Sequence, residues 1–342
     1  MLRFRRVSLV VRLMRRCDYM NARFLFLLLT LAVCANAQVV RDTTKIVGPE
    51  ECAKCHKPET ATWEATHHFA TYKDLQKSEQ GKIIKGNLGI SGSFKRNDTC
   101  TQCHYTLQGP ADDWDAISGI SCESCHGPAK DWLNIHNRKV TDDADKAKRL
   151  AEAVAAGMLN PKDIYNVAQN CYNCHTVPNE NLVNNGGHAA GSPFELVSWS
   201  QGEVRHNFGG KEKNLLSPPE RLQLMYVMGR ALDLEYGLRG VAKATDGDKY
   251  GQAMATRVIT AHNHLVEILK AGAQLPEIKD MLAAVPKPLT FESEARFLKA
   301  AEQVQAAARA LQAKKDTYQA ELAKVAALIP DKSTYRGNPH AE

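Results

Sequence analysis

Cys122-Glu123-Ser124-Cys125-His126 is the third of four stretches in this chain that follow the pattern Cys-x-x-Cys-His. The other three are Cys52–His56, Cys100–His104 and Cys171–His175. Together they hold eight of the 10 cysteines in the 342-residue chain, and the other two cysteines lie before residue 38. The spacing of these motifs therefore organises the first two-thirds of the sequence.

The histidine after every second cysteine decides which chemistry the cysteine pairs serve. A disulfide framework does not require that histidine, and a zinc site would use Cys-x-x-Cys pairs without it. The pattern is typical of covalent haem c attachment, in which two thiols bond the porphyrin and the histidine binds the iron. We therefore predict four haem c groups. Their thiols are Cys52, Cys55, Cys100, Cys103, Cys122, Cys125, Cys171 and Cys174, and their proximal ligands are His56, His104, His126 and His175.

The positive charge of the chain comes from its beginning. The formal net charge is +6, and the first 37 residues contain seven Arg and one Asp, so the remainder is neutral. This balance argues against a nucleic-acid partner. An apolar run over residues 24–34, followed by Ala35-Asn36-Ala37, predicts a signal peptide over residues 1–37, with Met20 as an alternative start. We expect a periplasmic protein, because haem c is attached outside the cytoplasmic membrane.

The composition changes near residue 210. The stretch from about residue 50 to 210 is rich in Gly, Asn and Pro and lacks sustained strand alternation, and we predict a tetrahaem domain with little regular β structure over residues 38–210. Residues 211–342 predict a C-terminal helical bundle with helices over 219–243, 248–270 and 292–329. The predicted fold class is mainly α. The apolar seam of the 292–329 helix predicts packing inside the bundle or, alternatively, a contact between two copies of the chain.

The sixth ligand of each iron decides what the haem can do, because a second histidine closes the iron and an empty position admits a substrate. A helix predicted from Pro58 to about Gln76 places His68 about 18 Å from His56, so His68 must bind a different iron. The same reasoning separates His136 from His126 by about 15 Å. The remaining histidines available as distal ligands are His67, His188, His206, His262, His264 and His340.

Residues 50–210 resemble the cytochrome c-554 family of tetrahaem cytochromes. The resemblance rests on Cys52–His56 followed by Trp63 and His68, on the short gap between the second and third motifs, and on Gly119–Pro128 with His136 beyond. It implies a mostly helical fold with closely packed haem pairs. It also implies electron transfer of the kind that this family performs for hydroxylamine oxidoreductase.

The resemblance further implies how the distal histidines are shared. His68 is expected to serve the Cys122 haem and His136 the Cys52 haem. In the family the second haem can be open, so His188 is either the ligand of the Cys100 haem or a loop histidine. We expect His206 at the Cys171 haem. His262 and His264 are interpreted as surface or core residues, and Met225 and Met228 as core.

The leading hypothesis is an exported electron-transfer protein whose partners are periplasmic or membrane-bound redox proteins. One alternative is a haem enzyme that acts on a small nitrogen-oxide species at an open Cys100–Cys103 haem. Another alternative is a structural haem subunit of a respiratory complex. The 292–329 helix would then provide its contact, and the same helix could also join two copies of the chain.

Overall fold

The computed structural model describes residues 42–209, 212–291 and 293–337. The predicted signal peptide and His340 lie outside these residues. Short helices dominate the part that carries the four motifs. They are α1 (Pro49–Ala53), α2 (Lys57–Glu64), α3 (His67–Asp74), α4 (Glu79–Asn87), α5 (Asp98–His104), α6 (Cys122–His126), α7 (Leu133–His136), α8 (Asp143–Ala155), α9 (Ile164–His175), α10 (Glu180–Asn184) and α11 (Leu196–Ser200).

One small sheet lies between α5 and α6. Strand β1 (Thr106–Gln108) pairs antiparallel with β2 (Asp115–Ser118), and Leu107 lies opposite Ala116. This hairpin spans the short gap between the second and third motifs. Within the described residues it is the full extent of regular β structure, so the prediction of a mainly α fold is confirmed.

The C-terminal part is built from longer helices. These are α12 (Pro219–Lys243), α13 (Lys249–Lys270), α14 (Pro276–Ala284), α15 (Glu294–Ala313) and α16 (Gln319–Ala323). Helix α12 is the central element, since it packs against α13, α15 and α9. Its Met225 and Met228 are buried among apolar side chains, as predicted. The predicted helices over 219–243 and 248–270 are confirmed.

The prediction of a continuous helix over 292–329 is wrong, because α15 ends at Ala313. The chain then turns so that Lys314 Nζ and the Tyr318 hydroxyl both reach the carboxylate of Glu277, at 2.8 and 3.1 Å. Glu277 is buried on α14, and both contacts reach its Oε1, so they offset part of the cost of burying this carboxylate. The apolar seam of α15 is buried within the chain, as the bundle alternative predicts.

Two shorter predicted helices are also interrupted. The helix expected over 58–76 breaks at Ala65 and Thr66, where Thr66 is extended and its side chain accepts a hydrogen bond from Phe69 N to begin α3. After the third motif, the helix expected from Pro128 forms over Leu133–His136 alone. Local capping therefore overrides the continuous helical pattern at Thr66.

A shared core connects the fourth motif to the C-terminal helices. Tyr172, on α9, is fully buried and donates a hydrogen bond to Gly229 O on α12 at 2.8 Å. The same core extends as far as Val325 and so includes residues on both sides of position 210. The division into domains at that position stays a prediction. None of the helices that the structure describes is long and apolar enough to cross a membrane.

Candidate haem sites

Each of the four motifs lies in or next to a helix end. Helices α5, α6 and α9 all finish at the histidine of their motif, and in the first motif His56 N donates to Cys52 O at 3.0 Å. Helix α6 can stop there because Gly127 has a φ of +86° and faces Gly157 O, which a Cβ would approach to 2.5 Å. The two cysteines and the histidine thus occupy one turn, which lets all three reach the same porphyrin.

Glu123 fixes the third motif to the segment before the first. Its carboxylate is buried and accepts hydrogen bonds from Val47 N at 3.0 Å, Gly48 N at 2.8 Å and Ala129 N at 2.7 Å. The thiols of Cys52 and Cys122 also lie close enough to shift each other's pKa. The first and third motifs are therefore direct neighbours, although 70 residues separate them in the chain.

The fourth motif lies between the third and the second. Asn170 Nδ2, on α9, donates to Cys125 O of the third motif at 3.3 Å. On another side, Cys174 Sγ lies 3.8 Å from Gln102 O of the second motif. Contacts between motifs consequently run in the order first, third, fourth, second.

The motif histidines each face one other histidine. They form pairs and not larger clusters: residues 42–209, 212–291 and 293–337 contain no group of three or more His, Cys, Asp or Glu side chains that could hold a metal ion. The ring-centroid separations are 6.3 Å for His56 and His136, 6.5 Å for His104 and His188, 6.2 Å for His126 and His206, and 6.2 Å for His175 and His68. Every predicted ligand is thus present in one of four pairs.

These separations fit an iron held between two imidazoles. A metal–imidazole nitrogen bond is about 2 Å long, which places the ring centroid about 3 Å from the metal. Two rings on opposite sides of one iron therefore have centroids about 6 Å apart. All four pairs lie within a few tenths of an ångström of that value.

Comparison with known proteins gives the same chemistry for part of the chain. Residues 51–127 match the family model described as cytochrome c554 and c-prime. This segment belongs to the cytochrome c-554 family. Residues 51–127 are therefore part of a c-type cytochrome, a class of protein that binds haem c covalently.

A curated relative is cytochrome c-554 of Nitrosomonas europaea, which is 26% identical over 101 residues. The match covers 27% of this chain and 42% of the relative, so the chain spans less than half of that protein's length. No solved structure matches the chain. The C-terminal helices α12 to α16 lie outside the c-554 match of the family model.

The structure corrects two expected pairings. His68 faces His175 of the fourth motif instead of His126, and His206 faces His126 of the third motif instead of His175. The two distal histidines have in effect exchanged places. The structure does bring His136 beside His56, which is the expected pairing, and His188 beside His104, which is one of the two alternatives left open for His188.

The contacts of His67 explain the exchange. The His67 ring lies 2.7 Å from Glu203 Oε1, and its backbone N–H also binds this carboxylate. Because successive helical residues point about 100° apart, fixing His67 toward Glu203 turns His68 in another direction. The Thr71 hydroxyl, one turn later on α3, donates to His104 O at 3.0 Å and holds the helix against the second motif. His68 therefore points to the side of the second and fourth motifs.

A cavity of about 500 Å³ extends between the second and fourth motifs. The lining includes both cysteine pairs and both histidine pairs of these motifs: Cys100, Cys103, Cys171, Cys174, His104, His188, His175 and His68. Trp199 also lines it, and its indole N–H is buried without an acceptor among the described residues. The Trp132 ring lies 5.1 Å from the His136 ring, and its indole N–H is likewise buried without an acceptor among the described residues. Both donors suit the carboxylate groups of a haem.

Burial favours the neutral form, which binds a metal, in four of the paired histidines. It lowers the pKa of His104, His126 and His175 to about 4, with neighbouring histidines adding to the effect. It also lowers the pKa of His68. His262 and His264 on α13 belong to none of the four pairs.

Two functional side chains could not be identified from the sequence. Glu123 occupies a variable position of its motif, and nothing in the spacing indicates that its carboxylate meets Val47 and Gly48. Ser192 lies in a loop, and its hydroxyl is 2.8 Å from His175 Nδ1. Only the folded chain brings either residue to its partner.

Proposed function

We propose that this chain is an exported tetrahaem cytochrome that transfers electrons between redox proteins. The observation that carries the proposal is that four Cys-x-x-Cys-His histidines each face one further histidine at 6.2 to 6.5 Å. When bound, each haem supplies one-electron chemistry between ferric and ferrous iron. The cysteine thiols of the four motifs would attach the porphyrins, and the paired histidines would bind the irons.

The motif contacts support a linear path for the electrons. Cys52 meets Cys122, the Asn170 amide meets the third motif, and Cys174 meets the second. The haems of the first and second motifs would then be the two ends of the path. A redox partner docking at either end would exchange electrons with all four irons.

The histidine pairs also bear on the enzyme alternative. An open iron at the second motif would need a free position opposite His104, and His188 lies there at 6.5 Å. Closed irons favour electron transfer over binding of a nitrogen-oxide species. We therefore propose periplasmic or membrane-bound redox proteins as the partners of this chain.

Mass spectrometry and electron paramagnetic resonance of the purified oxidised protein test the proposal. The mass should correspond to a chain processed near residue 37 with four haems, and the resonance spectrum should contain low-spin ferric iron only. A high-spin signal that shifts with cyanide or nitric oxide would instead support the enzyme. Fewer than four haems would contradict the tetrahaem proposal itself.

A further inference from the structure

Four charged side chains are buried together beside the fourth motif. Arg257 on α13 binds Asp233 on α12 at 2.5 Å. Arg230 binds Asp233 at 3.5 Å and Glu195 at 3.4 Å. Their side chains are 9 to 16% exposed. A buried ionic cluster of this kind is weak evidence for stability, because desolvation offsets the attraction, so its position deserves a functional explanation.

The cluster reaches the proximal histidine of the fourth motif through one loop. Arg257 Nη2 donates to Ser192 O at 3.1 Å, and Ser192 N donates to His175 O at 3.0 Å. The Ser192 hydroxyl lies 2.8 Å from His175 Nδ1, the ring nitrogen left over when Nε2 binds iron. Gly191 makes the approach possible, since a Cβ there would lie 2.8 Å from His175 O and 3.3 Å from Arg257. The loop is thus clamped between His175 and Arg257.

We propose that the C-terminal helices set the reduction potential of the Cys171 haem, with Arg257 acting through its charge and Ser192 as a positioning residue that acts through His175. The inference rests on the proposed function, because it requires a haem at the fourth motif. It gives α12 and α13 a role in a part of the chain beyond the c-554 segment. The other three motif histidines have no such buried arginine among their described hydrogen-bonding contacts.

The two residues act in opposite directions. The positive charge of Arg257 disfavours ferric iron, which carries one charge more than ferrous iron, and so raises the potential. A serine that accepts the Nδ1 proton in a hydrogen bond increases the basicity of His175, which favours ferric iron and lowers the potential. The two substitutions should therefore shift the reduction potential in opposite directions. A general loosening of the site would instead shift the potential of both variants in the same direction.

The size of the charge effect follows from Coulomb's law. A unit charge roughly 10 Å from the iron at an effective dielectric constant of about 20 changes the ferric-to-ferrous ratio on the order of tenfold. For a one-electron couple, a tenfold change corresponds to about 59 mV. When Arg257 is removed, Asp233 is still paired with Arg230 and keeps its negative charge. The net charge of the cluster therefore falls by one unit.

The experiment is a potentiometric titration of the holoprotein, followed by visible absorption and by the low-spin resonance signals of each haem. Arg257→Gln should lower one of the four midpoints by about 59 mV, and Arg257→Lys, which keeps the charge, should restore most of it. Ser192→Ala should raise the same midpoint. Lys314→Gln is the matched control: it removes a C-terminal cation from the buried Glu277 and should move none of the midpoints.

The outcomes separate this inference from the proposed function. If the wild-type protein holds fewer than four low-spin haems, the proposed function fails first. If all four are present and neither Arg257→Gln nor Ser192→Ala moves a midpoint, the tuning role is overturned. A shift of the same sign in Arg257→Gln, Arg257→Lys and Ser192→Ala would also overturn it, because that pattern indicates loosening and not charge. If Arg257→Gln does not fold, Asp233→Asn takes its place, because it removes the opposite charge from the same cluster and should raise the same midpoint; an unmoved midpoint in this variant would overturn the role of the C-terminal helices.

Discussion

Replacing Glu123 with Gln tests whether this carboxylate holds the first and third motifs together. Glu123 is 1% exposed and accepts hydrogen bonds from three backbone N–H groups. Glutamine keeps the shape but turns one acceptor oxygen into an NH2 group, so at least one N–H faces a donor. Leaving a buried donor unsatisfied costs about 1–3 kcal/mol, and a hydrogen bond to a charged group contributes about 1.5–3 kcal/mol. We expect a loss of about 3 kcal/mol in the free energy of unfolding.

Guanidinium unfolding of the holoprotein, followed by helical circular dichroism, measures this loss. With a slope of roughly 5 kcal/mol per molar, the midpoint should fall by about 0.6 M. Glu51→Gln is the matched control, because Glu51 pairs with Lys54 on the surface. An exposed pair of this kind contributes at most about 1 kcal/mol, so the control should shift the midpoint by a third of that amount or less. Equal midpoints for the two variants would refute the anchoring role of Glu123.

Three further predictions concern the distal ligands. His68→Ala should convert the Cys171 haem to high spin and leave the Cys122 haem low spin, and the reverse result in the resonance spectrum would refute the pairing with His175. His188→Ala should open the Cys100 haem, so that cyanide binds to this variant and not to the wild type. Ending the chain at residue 330 removes two backbone hydrogen bonds of Arg336. Its carbonyl accepts from Glu203 N at 2.9 Å, and its N–H donates to Ser198 O at 3.0 Å. This truncation should loosen the loop of His206 and produce a high-spin fraction at the Cys122 haem, whereas an unchanged spectrum would show that the loop holds itself.

The motif chemistry is predictable from the sequence because it is local. Two thiols and an imidazole within five residues determine the attachment of one haem whatever the rest of the chain does. The long helices α12 and α13 were also predictable, since their apolar pattern and the proline at Pro219 act within the segment itself. In each case the signal and the structure that it predicts occupy the same stretch of chain.

The interruptions of helices were not predictable in the same way. The break before α3 depends on whether Thr66 caps a new helix or continues the old one, and both are compatible with its sequence. The end of α15 at Ala313 depends on Glu277, which is 37 residues from the lysine that binds it. A contact with a distant buried carboxylate leaves no trace in local periodicity.

The pairing of the histidines is the clearest case of a choice that only the fold makes. Any distal histidine satisfies any of the four irons chemically, so spacing cannot rank the combinations. The observed pairs join residues 80 or more positions apart, and closing loops of such lengths costs nearly the same entropy, because the cost grows only with the logarithm of loop length. The pairing is therefore decided by side chains that do not bind iron.

Glu203 holds His67 and so directs His68 to the fourth motif, while Glu123 holds the third motif beside the first. In the proposed tetrahaem protein, each iron would bind a histidine from a segment distant from its motif, so each iron–ligand bond would also fasten two segments together. Loss of one distal ligand should for this reason destabilise the fold as well as convert its haem to high spin.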